Sequence, residues 1–122
     1  MNPLSAVLLA AAVGSWTAVA GGTWSPGQEM LAHIQLELPA FVKQQATTQK
    51  KSLPEWSRYS FQFQGQSNND RRFVFINAYC IESPGYVAKR FLVVLDGGTC
   101  FFSLKYDPEQ RVFLELIFHG EA

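Results

Sequence analysis

The sequence predicts an α+β domain in which one bent N-terminal amphipathic helix packs on a mostly antiparallel sheet of about five strands. Three observations carry that expectation. Apolar residues recur at helical spacing in one stretch only, at Met30, Leu31, Ile34, Leu38, Phe41 and Val42. From Arg58 onward the period changes to two, the mark of strands. Between those alternating runs stand clusters rich in Gly, Asn and Asp, which admit the backbone conformations of tight turns. A length of 122 residues suits one domain and excludes a second independent one.

The elements are taken in chain order. Residues 1–20 read as a signal peptide: residues 4–13 form an apolar, uncharged run of h-region length, and Ala18-Val19-Ala20 supplies the small-x-small pattern that places cleavage after Ala20. The segment before residue 14 carries no Lys or Arg, so only the terminal amine supplies positive charge. A transmembrane anchor is the competing reading. The apolar run is too short to cross a hydrocarbon core of about 30 Å without recruiting Gly14, Ser15 and Thr17. No Cys lies near the cut, which argues against a lipoprotein anchor. Residues 21–122 then form the single domain.

Ser25-Pro26-Gly27-Gln28 reads as a helix start, with Ser25 at the N-cap, Pro26 at the first helical position and Gln28 completing a capping box. The helix is expected to reach about Ala46. Pro39 lies inside the stripe, where its ring removes the bond to the Gln35 carbonyl and should bend the axis.

Five strands are expected beyond it. Tyr59, Phe61 and Phe63 alternate with Ser60, Gln62 and Gln64, a half-buried strand closed by a turn over residues 65–70. Residues 72–81, apolar on both faces except at Asn77, and residues 90–95, nearly continuous, read as central strands. Asp96-Gly97-Gly98-Thr99 reads as a hairpin turn into a strand over residues 100–106. A turn at residues 107–110 leads to the last strand, residues 111–119, in which Val112, Leu114, Leu116 and Phe118 share a face.

Composition narrows the function classes. Ten Lys and Arg balance ten Asp and Glu, so no bulk field draws the chain to nucleic acid or to an anionic membrane. Residues 71–78 resemble the RNA-reading strand pattern only loosely, with Arg72 where it needs Gly and Ala78 where it needs an aromatic. Hydrophobic residues at 48% exclude a disordered chain. The aromatics Trp24, Trp56, Tyr59, Phe61 and Phe63 either fill the core or form an exposed recognition patch.

The order of one helix followed by strands resembles the cystatin-like and nuclear-transport-factor-like layouts. That resemblance is architectural and assigns no activity. The cystatin inhibitor hairpin Q-x-V-x-G is absent, since Gln62 stands three positions before Gly65 rather than four. A more specific resemblance rests on Asn77-Ala78-Tyr79-Cys80, on Asp96-Gly97-Gly98-Thr99-Cys100-Phe101-Phe102 and on the terminal Gly120-Glu121-Ala122. These segments are similar to small exported bacterial proteins sharing N-A-x-C, D-G-G-x-C-F-F and G-x-A. The resemblance implies an exported bacterial protein and a paired role for Cys80 and Cys100, not a reaction.

The residues themselves leave that pairing open. An even count in an exported protein suggests a Cys80–Cys100 disulfide. In a simple meander, however, the two would lie at opposite ends of the sheet, beyond the ~7 Å Cα limit. The bond then requires residues 82–89 to recross the sheet, and eight residues span at most about 26–29 Å. A meander with two buried thiols is the alternative.

No other constellation of chemistry emerges. His33 and His119 lack metal-ligand spacing, so no metal or cofactor is expected. A Cys100–His119 nucleophile pair needs the fold to bring the two together. Asp96-Gly97-Gly98 could form an anion-binding nest, and reads more simply as a turn. No catalytic residues are assigned, and the ligand-binding residues stay unknown. The sequence therefore points to a periplasmic or secreted, non-enzymatic binding or interaction domain, inhibitor-like in one version. Its partner would be a protein or a small ligand, with no nucleic acid and no stable membrane insertion after cleavage. The alternative is a small enzyme or ligand carrier with a cavity between helix and sheet, using Tyr79, Asn77 or Asp96.

Overall fold

A computed structural model describes residues 14–120. One helix, α1 (Gln28–Thr48), packs on a five-stranded sheet in the order β1-β2-β3-β4-β5, formed by Trp16–Ala18, Ser60–Asn68, Arg71–Tyr79, Phe102–Asp107 and Val112–Phe118. All neighbours pair antiparallel except β1, which runs parallel to β2. The α+β layout agrees with the sequence. The membership of the sheet does not: residues 90–95 form no strand, and β1 takes the fifth place from within the segment read as leader. Residues 4–13, the apolar run of that leader, lie outside the described residues.

The helix starts two residues later than its sequence suggests. Gly27 is the N-cap, with no side-chain cap, so Ser25 and Pro26 precede the helix instead of opening it. Ile34, Leu38, Val42 and Ala46 recur every fourth residue and are buried against the sheet. Burial of each of the three larger chains contributes about 2 kcal/mol. Pro39 stands between Leu38 and Val42 inside the helix, where it is partly exposed. The opposing face supplies Phe61, Phe63, Val74, Ile76, Ala78, Phe102, Leu104 and Tyr106. Helix and sheet thus pack their buried faces against each other.

The aromatics of the first half serve this core. Tyr59, Phe61 and Phe102 are fully buried, with Tyr59 and Phe102 edge to face at 5.0 Å. Trp56 lies 5.2 Å from Tyr59, and Trp24 donates its indole N–H to the Gln66 carbonyl while Arg72 covers its ring at 4.5 Å.

Three local features depart from the expected pattern. β2 runs on to Asn68, and the turn contracts to Asn69 and Asp70, both at positive φ (50° and 69°). That is what a two-residue hairpin of the twist-compatible hand requires, and Asn and Asp tolerate it best after Gly. Between β4 and β5 the register shifts, Ser103 facing Ile117 and Lys105 facing Leu114, and Glu115 of β5 adopts φ 55°. The inserted residue breaks the period of two. Val112 and Leu114 are therefore exposed while Leu116 and Phe118 reach the core, and the four do not share a face. Third, Asp96-Gly97-Gly98-Thr99 joins no two strands. It leads through a short 3-10 turn, Gly98–Cys100, into β4.

The turn before β5 is organised by Asp107, whose Oδ1 accepts the Glu109 and Gln110 N–H groups and whose Oδ2 accepts from Arg71 at 2.8 Å. The Gln110 N–H above all, then those of Glu109 and the Arg71 guanidinium, hold the carboxyl below the usual carboxylate range against an opposing effect of burial. The native chain then binds fewer protons than the unfolded one as acid is added. Stability from this turn is present above about pH 4 and is lost as pH falls through the depressed native value. We expect Asp107→Asn to lower stability at neutral pH and to flatten the acid limb of urea midpoint against pH. An acid limb identical to that of the parent chain would disprove the assignment.

Candidate functional site

The sheet face opposite the helix carries a row of polar side chains, because alternation sends Gln62, Asn77 and Ser103 there while their neighbours enter the core. Residues 81–99 lie over this face as a flap. Its backbone needs hydrogen-bond partners wherever it leaves water, and two buried amides supply them. Gln62 Nε2 donates to the Val87 and Arg90 carbonyls at 3.0 and 2.8 Å. Gln62 Oε1 accepts from the Leu92 N–H at 2.9 Å and from Asn77 Nδ2 at 3.0 Å. Asn77 Nδ2 also donates to the Leu92 carbonyl at 2.9 Å.

Cys80 and Cys100 form a disulfide across the flap's base, with Cα atoms 5.3 Å apart. The geometric objection to this bond disappears with the missing strand. Because residues 90–95 stay out of the sheet, β3 pairs directly with β4, and Ala78 faces Phe102. Continuing that register by two residues brings the cysteines together. The end of the flap is held to the helix side as well: Tyr59 donates to the Thr99 carbonyl, and Thr99 Oγ1 donates to the Ser52 carbonyl at 2.7 Å. Burial pushes the Tyr59 phenol well above its ordinary range, so it remains a donor.

Between flap and sheet lies a cavity of about 240 Å³, lined chiefly by Phe75, Phe91, Val94, Leu95, Phe101 and the pair Ser103 and His119. Phe91 meets Phe75 edge to face at 5.0 Å and walls one side. At the floor, Ser103 Oγ and His119 Nε2 are 2.7 Å apart. The His119 backbone is fixed between Gly97, whose N–H it accepts, and Phe101, to whose carbonyl it donates. Gly120 touches the Gly98 backbone so closely that a Cβ would collide with it, which closes the strand end onto the flap. Comparison with known family models, curated proteins and solved structures finds no match.

The structure sorts the residues singled out from sequence. Cys100 is bonded to Cys80 and makes no nucleophile pair with His119, which meets Ser103 instead. His33 lies on the other side of the molecule, 6.2 Å from the Tyr106 ring, in an open groove between α1 and β5 with Glu37, Phe41 and Arg111. Among the described residues no group of three or more His, Cys, Asp or Glu could hold a metal ion. Of the three polar groups assigned to a helix–sheet cavity, Asn77 reaches the pocket on the opposite face. Tyr79 bonds Ser83 at 2.8 Å, and Asp96 is exposed. Gln62 and Ser103 were not legible as site residues. Gln62 looks like the solvent face of an alternating strand, and the sign of its role would have been an apolar cover with no strand partner. No helix among the described residues is long and apolar enough to cross a membrane.

Proposed function

We propose that this chain is an exported binding domain, periplasmic or secreted, that takes a small, largely apolar group with one hydrogen-bonding atom into the pocket beneath the flap. The observation that carries the proposal is an apolar concavity with one polar pair, Ser103 and His119, converging at its floor. That combination is what small-ligand sites share: apolar walls for affinity and a few polar atoms for orientation. The groove beside α1 is larger, about 670 Å³, and more open to solvent. The disulfide supports export, because such bonds persist in oxidising compartments.

The Ser103–His119 contact also favours a second reading, a hydrolase with Ser103 as nucleophile and His119 as base. Against it, no carboxylate among the described residues hydrogen-bonds His119 to orient the ring. Titration with 1-naphthol, followed by its fluorescence, tests the pocket. We expect Val94→Trp, which fills the cavity, to weaken binding at least tenfold, and Ser103→Ala by about fivefold through loss of one hydrogen bond. Equal affinity in the parent chain and Val94→Trp would refute the site. Hydrolysis of a naphthyl ester that disappears in Ser103→Ala would instead establish the second reading.

A further inference from the structure

We infer that the working chain keeps residues 14–20 as a structural part of its sheet, and that any leader is removed on the N-terminal side of Gly14 rather than after Ala20. Residues 16–18 are β1, in register with β2 through Trp16 and Phe61, Thr17 and Gln62, Ala18 and Phe63. The ladder extends past both ends: Phe61 N–H donates to the Ser15 carbonyl at 2.8 Å and Val19 N–H to the Phe63 carbonyl at 2.9 Å. Side chains add to it. The Trp16 ring stacks on Phe61 with centroids 4.3 Å apart, and Val19 is 6% exposed.

The residue before the expected cut is itself built into the fold. Ala20 donates its N–H to the Ala88 carbonyl of the flap at 2.9 Å, and its own carbonyl accepts from Gln64 Nε2 at 2.8 Å. Cleavage there would strip the ladder partner from the edge of β2, uncover the Phe61 ring and detach the flap from one of its anchors. A discarded leader has no reason to complete the sheet of the domain it delivers. The position of the cut rests on the exported reading, which cell fractionation tests separately. Retention of β1 is read from the N-terminus in whichever compartment the chain is found.

Intact-mass and N-terminal analysis of the full chain, expressed in a bacterium and recovered from each compartment, decides the point. A product beginning at or before Gly14 is expected; one beginning at Gly21 overturns the inference. Ala20→Gln provides a second arm. The Ala20 side chain is exposed, so the fold accepts Gln, whereas a peptidase that needs a small residue before its cut does not. The N-terminus should be unchanged by Ala20→Gln, and accumulation of an uncut precursor would overturn the inference. On the purified chain, Trp16→Ala should lower the thermal midpoint by about 5 °C; an unchanged midpoint would show that β1 carries no part of the fold.

Discussion

Gln62→Ala is expected to lower the stability of the chain by about 4 kcal/mol and to release residues 87–92 from the sheet. The Gln62 carboxamide is fully buried and makes four hydrogen bonds, to the Val87 and Arg90 carbonyls, the Leu92 N–H and the Asn77 amide. Each is worth about 1 kcal/mol net, and the cost rises when a buried partner is left unsatisfied. Asn77 keeps its bond to Leu92, so the flap should loosen at residues 87–90 before it lifts at Leu92. Urea unfolding gives the free energy, and amide exchange at Leu92 gives the local effect. Fast exchange at Leu92 with little global loss would mean that water replaces the lost partners. An unchanged exchange rate would show that Gln62 does not hold the flap. Gln62→Glu should also fail, since a carboxylate would face the Val87 and Arg90 carbonyls.

The second large effect is expected at the base of the flap. Replacing both Cys80 and Cys100 by Ala should cost about 3 kcal/mol, the loop-closure entropy of a cross-link 20 residues apart in sequence. The urea midpoint should fall by roughly 1–2 M, with a steeper slope because the denatured chain without the cross-link exposes more surface. The fold should survive, because Val74, Ile76 and Ala78 still pair with Tyr106, Leu104 and Phe102 across β3 and β4. Reductant added to the parent chain should reproduce the same midpoint. A double variant as stable as the parent would mean that the β3–β4 ladder and the Gln62 anchor already confine the flap. Both changes act on one segment, so their combined cost should differ from the sum.

Much of the architecture was legible because local chemistry and tertiary placement agree. The stripe Ile34, Leu38, Val42 packs where helical spacing puts it. The hairpin at Asn69 and Asp70 forms where residues tolerant of positive φ stand between alternating runs. The last strand was legible in extent but not in facing, since a single residue at Glu115 inverts the alternation. The pocket was the least legible. It is built from Phe91, Val94 and Leu95, whose continuous apolar run reads equally as a buried strand or as a cover over one. Val93 and Leu95 are 77% and 86% exposed, which no central strand would allow. Ser103 and His119 stand 16 residues apart and meet only because β4 and β5 are neighbours.

The sequence by itself determined what periodicity and composition encode: one amphipathic helix, a mostly antiparallel sheet, a neutral chain, and two cysteines available to bond. Only the tertiary structure decided which segments enter the sheet. A strand's place depends on which neighbour offers its edge, and that is a long-range competition invisible to any local pattern. β3 has two edges, filled by β2 and β4. The apolar segment at residues 90–95 therefore folded over the face, where Gln62 and Asn77 could satisfy its backbone. The free edge of β2 went to residues 16–18, which the upstream apolar run and the Ala18-Val19-Ala20 pattern read as leader.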